Sequence, residues 1–199
     1  MIPQRQTTLN AGRDFSLGIL AGGRGRRWGG RDKGLIAFRG HPLLANVCDR
    51  RSASARETLI CCRDNAYFYS HYGDRILCES KPNRGPCAGI TALLSACESA
   101  TLIILPTDLI GSGKQVIATL EEAWTDADRA IVLTDQHGRH SPCMRLAQEA
   151  VEDCCAFIDQ GGTTLNDLLT TLQARRVAVE SRWLLDADSS ADLLTHCAD

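Results

Sequence analysis

The chain has 199 residues, 44% hydrophobic and 23% charged, with a formal net charge of -2. Those figures suit a globular fold with a full core and argue against a general nucleic-acid binder, which carries a basic domain. No apolar run approaches the roughly 20 residues that cross a bilayer, and the first residues lack the apolar segment of a secretory signal, so a cytoplasmic protein with no membrane partner is expected.

Residues 1–14 are polar and aperiodic and read as a mobile arm. Residues 15–20 (FSLGIL) form a short apolar run, a buried strand. Residues 41–51 have helical spacing, with Leu43, Leu44, Val47 and Cys48 on one side. Residues 58–62 (TLICC) read as a second strand, 64–72 as a short helix capped by Asp64, and 75–78 as a third strand. A helix opened by Gly-Pro is expected over 85–100. The unbroken run 101–106 (TLIILP) has the pattern of a strand in the middle of a parallel sheet. Helix follows at 112–124, then strands at 129–134 and 141–147 and helices at 150–160 and 163–172. Residues 175–179 are strand-like, and a last helix begins near Ser189 with Asp188 as its N-cap.

Strands separated by helices mean an α/β fold, a Rossmann-like three-layer sandwich with a mostly parallel central sheet. There is no repeat and no linker, so 15–199 read as a single domain. In such sheets ligands bind at the C-terminal ends of the strands, near a switch in strand order.

The ten cysteines include the neighbours Cys61–Cys62 and Cys154–Cys155 but no CxxC pair. That spacing does not suit zinc, and buried reduced thiols are expected.

The loop after the first strand, AGGRGRRWGGRDKG, holds five basic residues between Arg24 and Lys33. Glycines let the backbone approach a ligand, and arginine and lysine suit phosphate. The loop therefore reads as a polyphosphate cradle. It is not a Walker P-loop, because Lys33 follows Asp32 and precedes Gly34. Nor does Gly23, Gly25 and Gly29 give a dinucleotide fingerprint, being one residue too long.

LAGGRGRRWGGRDKGL followed by GHPLL resembles the opening motif of the nucleotidyltransferases that act on molybdopterin, with Trp28 where methionine is usual. The likeness continues in order along the chain: RGPCAG at 84–89, LPTD at 105–108, His140-Ser141-Pro142, and DADSSADL at 186–193. LAGG resembles the guanylyltransferase branch, whereas the cytidylyltransferases usually read LAAG; this likeness points to GTP.

The resemblance implies a sheet of nucleotidyltransferase type that transfers GMP from GTP to the terminal phosphate of molybdopterin, releasing pyrophosphate. It implies Mg2+ as cofactor, held by Asp108, with Lys33 on the phosphates and Arg27 supporting the leaving pyrophosphate. Leu20, Ala21, Gly22 and Gly23 would border the nucleotide. Cys61 falls where the guanylyltransferases usually close the second strand with asparagine, and Glu79 where they usually have aspartate. Asp186 and Asp188 stand where asparagines are usual, either one placed to assist the metal. His140 is expected on the pterin side, and His137 and Asp135 lie beside it. Molybdenum-insertion and cofactor-delivery proteins are the implied partners. Two alternatives stay open here: a related nucleotidyltransferase using CTP or another phosphorylated acceptor, and a catalytically silent nucleotide-binding relative.

Overall fold

The computed structural model describes residues 15–22, 28–48, 55–78, 85–187 and 192–193. The expected arm at 1–14, Gly23, Arg27, Glu79 and the expected helix start at Asp188 and Ser189 lie outside the described residues.

In chain order the elements are β1 (Phe15–Ala21), the two-residue strands β2 (Ala37–Phe38) and β3 (His41–Pro42), β4 (Ala55–Cys62), α1 (Ala66–Tyr69), β5 (Arg75–Cys78) and α2 (Gly85–Ala96). They continue with β6 (Thr101–Pro106), α3 (Gly113–Ala123), β7 (Ala130–Thr134), β8 (His140–Ala147), α4 (Val151–Asp159), α5 (Leu165–Thr171) and β9 (Arg175–Ala178). Seven strands form one sheet in the order β5-β4-β1-β6-β8-β7-β9, and β2 pairs with β3 in a separate hairpin. All pairings in the large sheet are parallel except those of β8, which runs against both β6 and β7. From β1 the chain builds outward through β4 and β5, then crosses to β6 on the other side of β1. The switch in strand order therefore lies at β1 and β6, which is where a crevice opens in such sheets.

Every residue of β6 is buried, as its apolar sequence requires. Its side chains alternate between two layers. Leu102 and Ile104 face Ile90, Leu93 and Leu94 of α2, in a layer completed by Cys154, Ile158, Leu168 and Leu169 of α4 and α5. Ile103 and Leu105 face Val116, Ile117 and Leu120 of α3, with Tyr69 of α1 in the same layer. Each fully buried aliphatic side chain contributes about 1.5–3 kcal/mol, so this central strand is the most firmly anchored support available to the loop that follows it. Helix α3 starts cleanly because Ser112 Oγ accepts the Gln115 backbone N–H at 3.2 Å.

Three expected helices are shorter than the sequence pattern suggests. Over 41–51 the structure has strand β3 and then one 3-10 turn, Leu43–Asn46. The Leu43 N–H donates to the Ile36 carbonyl across the hairpin at 2.8 Å. The apolar spacing at 43–48 thus serves to dock a turn. The helix expected at 64–72 is a single turn, preceded by Asn65 in the left-handed region at φ 60°. Asp64 does not cap it; its carboxylate accepts from Arg63 Nε at 2.9 Å. Helix α2 ends at Ala96 rather than at 100, and the Glu98 N–H turns to the Glu57 carboxylate at 3.2 Å.

One core residue defies the pattern. Arg145 of β8 is fully buried. Its Nε donates to Thr101 Oγ1 at 3.0 Å, and its guanidinium carbon lies 4.9 Å from the Trp124 ring centroid and 5.8 Å from that of Phe15. Both terminal nitrogens lack a partner among the described residues. Burial pulls its pKa down, against the attraction of Glu121. A cation over an aromatic face gains about 2 kcal/mol when desolvated, less than a buried, half-satisfied charge costs. Arg145→Met, which keeps the volume, is therefore expected to match or exceed the parent in stability by about 1–3 kcal/mol. Urea melts check this, and a loss above about 1 kcal/mol would contradict it.

No helix among the described residues is long and apolar enough to cross a membrane. The nine described cysteines are thiols, and seven of them are buried. Burial raises the Cys87 and Cys62 thiols to about 11, and the Cys154 thiol to about 12.

Candidate active site

The segment that follows β6 meets the 3-10 turn Lys33–Leu35, where a Cβ on Gly34 would lie 3.2 Å from Thr107 Cγ2. Leu20, Ala21 and Gly22 end the first strand and lead into the basic loop. Leu20 accepts the Thr107 N–H at 3.1 Å, which ties the end of β1 to the residue before Asp108. Lys33 reaches across from its turn, with Nζ 2.5 Å from Asp108 Oδ2. The two side chains are 16% and 23% exposed, so the pair is mostly buried but reachable from solvent.

Asp32, immediately before Lys33, has both carboxylate oxygens engaged. Oδ1 accepts the Gly34 N–H at 3.1 Å and the Tyr69 hydroxyl at 2.6 Å, and Oδ2 accepts from Asn65 Nδ2 at 2.9 Å. Trp28, from the same loop, packs on Phe38, Leu43, Ala187 and Leu193.

A second carboxylate approaches from the far end of the chain. Asp186 pairs with Leu109 in an isolated antiparallel bridge, and the Ala187 N–H donates to the Asp108 carbonyl at 2.8 Å. Ser141 Oγ donates to Asp186 Oδ1 at 3.3 Å. Burial, then the charges of Asp186 and Asp108, push the Cys143 thiol well above the usual thiol range. Two aspartates on adjoining segments offer hard oxygen donors of the kind that hold Mg2+, an ion content with one or two carboxylates when phosphates and water complete its shell. Among the described residues no group of three or more His, Cys, Asp or Glu is placed to hold a metal.

Cys61 is 2% exposed, in the layer beneath α2. Strand β4 closes on Cys62, one residue further on. A Cβ on Gly89 of α2 would lie 2.8 Å from Leu20 Cδ2, the movable end of that side chain, and 3.7 Å from Cys61 Sγ, so α2 packs closely on β1 and β4 here. His140 opens β8 at the same end of the sheet, with Nδ1 buried and unpartnered among the described residues. His137 and Asp135 do not join it in a cluster. The Asp135 carboxylate accepts the backbone N–H groups of His137 and Arg139 at 2.8 and 2.9 Å and Arg139 Nε at 2.8 Å, closing the turn between β7 and β8.

Sequence reasoning named Lys33, Asp108 and Asp186, which the fold gathers. It did not name Tyr69 or Asn65, whose link to Asp32 spans more than 30 positions. An asparagine and a tyrosine four residues apart within the helix expected over 64–72 were the available signal.

A family model described as the MobA-like NTP transferase domain matches residues 17–177. The molybdenum cofactor guanylyltransferase of Cupriavidus metallidurans is 36% identical over 157 residues, covering 72% of this chain and 74% of that protein. The protein of the same name from Pseudomonas fluorescens is 38% identical over 108 residues, so the match spans about half the length of each chain. Among solved structures, molybdopterin-guanine dinucleotide biosynthesis protein A from Archaeoglobus fulgidus superposes with a TM-score of 0.73 at 21% identity, over 90% of this chain and 95% of that one. The chain belongs to the MobA-like NTP transferase family.

Proposed function

We propose that the chain transfers GMP from GTP to the terminal phosphate of molybdopterin, releasing pyrophosphate and forming the guanine dinucleotide of the cofactor. The observation that carries this reading is the Lys33–Asp108 pair, set in the crevice where β1 and β6 diverge. Support comes from relatives named molybdenum cofactor guanylyltransferase at 36–38% identity.

In this reaction an oxygen of the molybdopterin phosphate forms a bond to the α-phosphorus of GTP, and the bond from that phosphorus to the β-phosphate bridging oxygen breaks. The attacking phosphate is already anionic and needs no strong base. The protein's task is to position two polyanions and offset their charge. Backbone groups of Leu20, Ala21, Gly22 and Gly23 border the nucleotide, Lys33 contacts its phosphates, and Arg27 takes charge on the departing pyrophosphate. Cys61 and Glu79 belong to the nucleotide side.

Asp108 would hold Mg2+, with Asp186, steadied by Ser141, placed to assist it. Bound there, the ion would neutralise phosphate charge and polarise the phosphorus under attack. The cytoplasm is the proposed site of action. Proteins that insert molybdenum or receive the finished cofactor are the partners this reading calls for.

Pyrophosphate release from purified protein with Mg2+ and molybdopterin, run in parallel with GTP, CTP and ATP, tests the proposal. Release with GTP and not with the other two is expected. Release with CTP alone would overturn the choice of base, and release with none would overturn the activity.

A further inference from the structure

Lys33 sits on a 3-10 turn of three residues, far too short to be stable by itself. Something outside the turn must hold it. On one side of Lys33 stands Asp32, whose carboxylate is gripped by the Tyr69 hydroxyl at 2.6 Å and the Asn65 amide at 2.9 Å. On the other side stands Gly34, which is buried and wedged. A Cβ there would lie 2.5 Å from Tyr69 Oη and 3.2 Å from Thr107 Cγ2. Thr107 is fixed by its bond to Leu20 and leads directly into Asp108. Tyr69 is fully buried in the same layer as Leu17, Ile19 and Leu105, so its hydroxyl is presented from a rigid base. Burial first, then the bond to the Asp32 carboxylate, push its phenol far above the usual range, so it stays a donor throughout the working pH range.

We propose that Tyr69 is a positioning residue for the transfer: its hydroxyl, acting through Asp32, holds the Lys33 turn at the distance from Asp108 that phosphate binding requires. This rests on the reading that Lys33 contacts the nucleotide phosphates. Tyr69 touches no reacting atom. It ties α1, through a half-buried carboxylate, to the loop that carries the ammonium group.

Tyr69→Phe keeps the ring and removes only the hydroxyl. Amide hydrogen exchange of the Lys33–Leu35 turn in ligand-free protein reads the tie by itself, and it should quicken by about tenfold in the variant. Titration with GTP and Mg2+ then reads the consequence, and binding should weaken by about tenfold. In a Lys33→Met background the same change should cost no further affinity, since the group being positioned is gone. Gly34→Ala should also weaken binding, and adding Tyr69→Phe should recover part of the loss by removing the atom nearest the new methyl group.

Unchanged exchange in Tyr69→Phe would overturn the tie whatever the binding data. Quickened exchange with parental GTP affinity would overturn its role in positioning, and so would a further loss of affinity in the Lys33→Met background. Failure of the parent protein to bind GTP would instead bring down the reading of the site, and this positioning role with it. A thermal midpoint measured alongside separates positioning from general unfolding, because Tyr69→Phe should lower it by only a few degrees.

Discussion

Asp108→Ala is expected to lower pyrophosphate release by at least about a thousandfold while leaving the protein folded. The carboxylate is partly exposed, at 23%, and is not part of the apolar layers. The backbone of Asp108 is held independently, through the Ala187 N–H on its carbonyl at 2.8 Å, so the loop after β6 keeps its course without the side chain. What is lost is the negative charge just beyond the end of a fully buried strand. Without it the metal and its phosphates lose a fixed anchor, and Lys33 loses the partner that orients it in the absence of substrate. Asp108→Asn, which preserves shape and removes charge, should be nearly as inactive. Release assays at saturating Mg2+ and a thermal melt of both variants make the check. Substantial activity at high Mg2+ in a folded variant would remove Asp108 from the reaction.

Lys33→Met should act differently, mainly on binding. A charge-assisted contact to phosphate is worth about 1.5–3 kcal/mol, so GTP affinity should fall by roughly tenfold to a hundredfold. The fold should lose at most about 1 kcal/mol, because the Lys33–Asp108 pair is reachable from solvent and screened by it. A second effect distinguishes this residue from an ordinary surface lysine. In the free protein the ammonium lies against Asp108 at 2.5 Å and competes with any cation for the carboxylate. Removing it should tighten Mg2+ binding to the nucleotide-free protein even as GTP binding weakens. Calorimetric titration of each ligand separately reads both changes. Parental affinity for GTP would mean that Lys33 does no more than neutralise Asp108.

What could be read from the sequence, and what could not, divides by the range of the forces involved. Strand β6 was delimited correctly because six consecutive apolar residues need two covered faces. Lys33 and Asp108 could be singled out because each sits in a short motif that carries the resemblance, and the fold brings the two side chains together. The turn at 43–46 was misread as a helix because docking onto a hairpin and winding into a helix bury the same apolar spacing. The ties from Tyr69 and Asn65 to Asp32, and from Ser141 to Asp186, depend on the sheet order and on the Leu109–Asp186 bridge, which no local pattern encodes. Arg145 was invisible for a related reason: a single charge in an otherwise apolar strand looks like a solvent-facing position, and only the packing of Phe15 and Trp124 shows that it points inward.

The reversed strand β8 has a consequence for how chains of this architecture can vary. Because it runs against β6 and β7, it begins rather than ends at the catalytic edge, and the turn that Asp135 closes lies at that edge. Residues inserted there would extend outward over the side of the crevice away from β1 without displacing any strand register. The segment from Trp28 to Lys33 has no such freedom, since Asp32 is tied to Tyr69 of α1, Lys33 to Asp108 beyond β6 and Trp28 to Phe38 of the hairpin. One rim of the crevice can therefore be remodelled by lengthening a surface turn while the other is fixed by its ties.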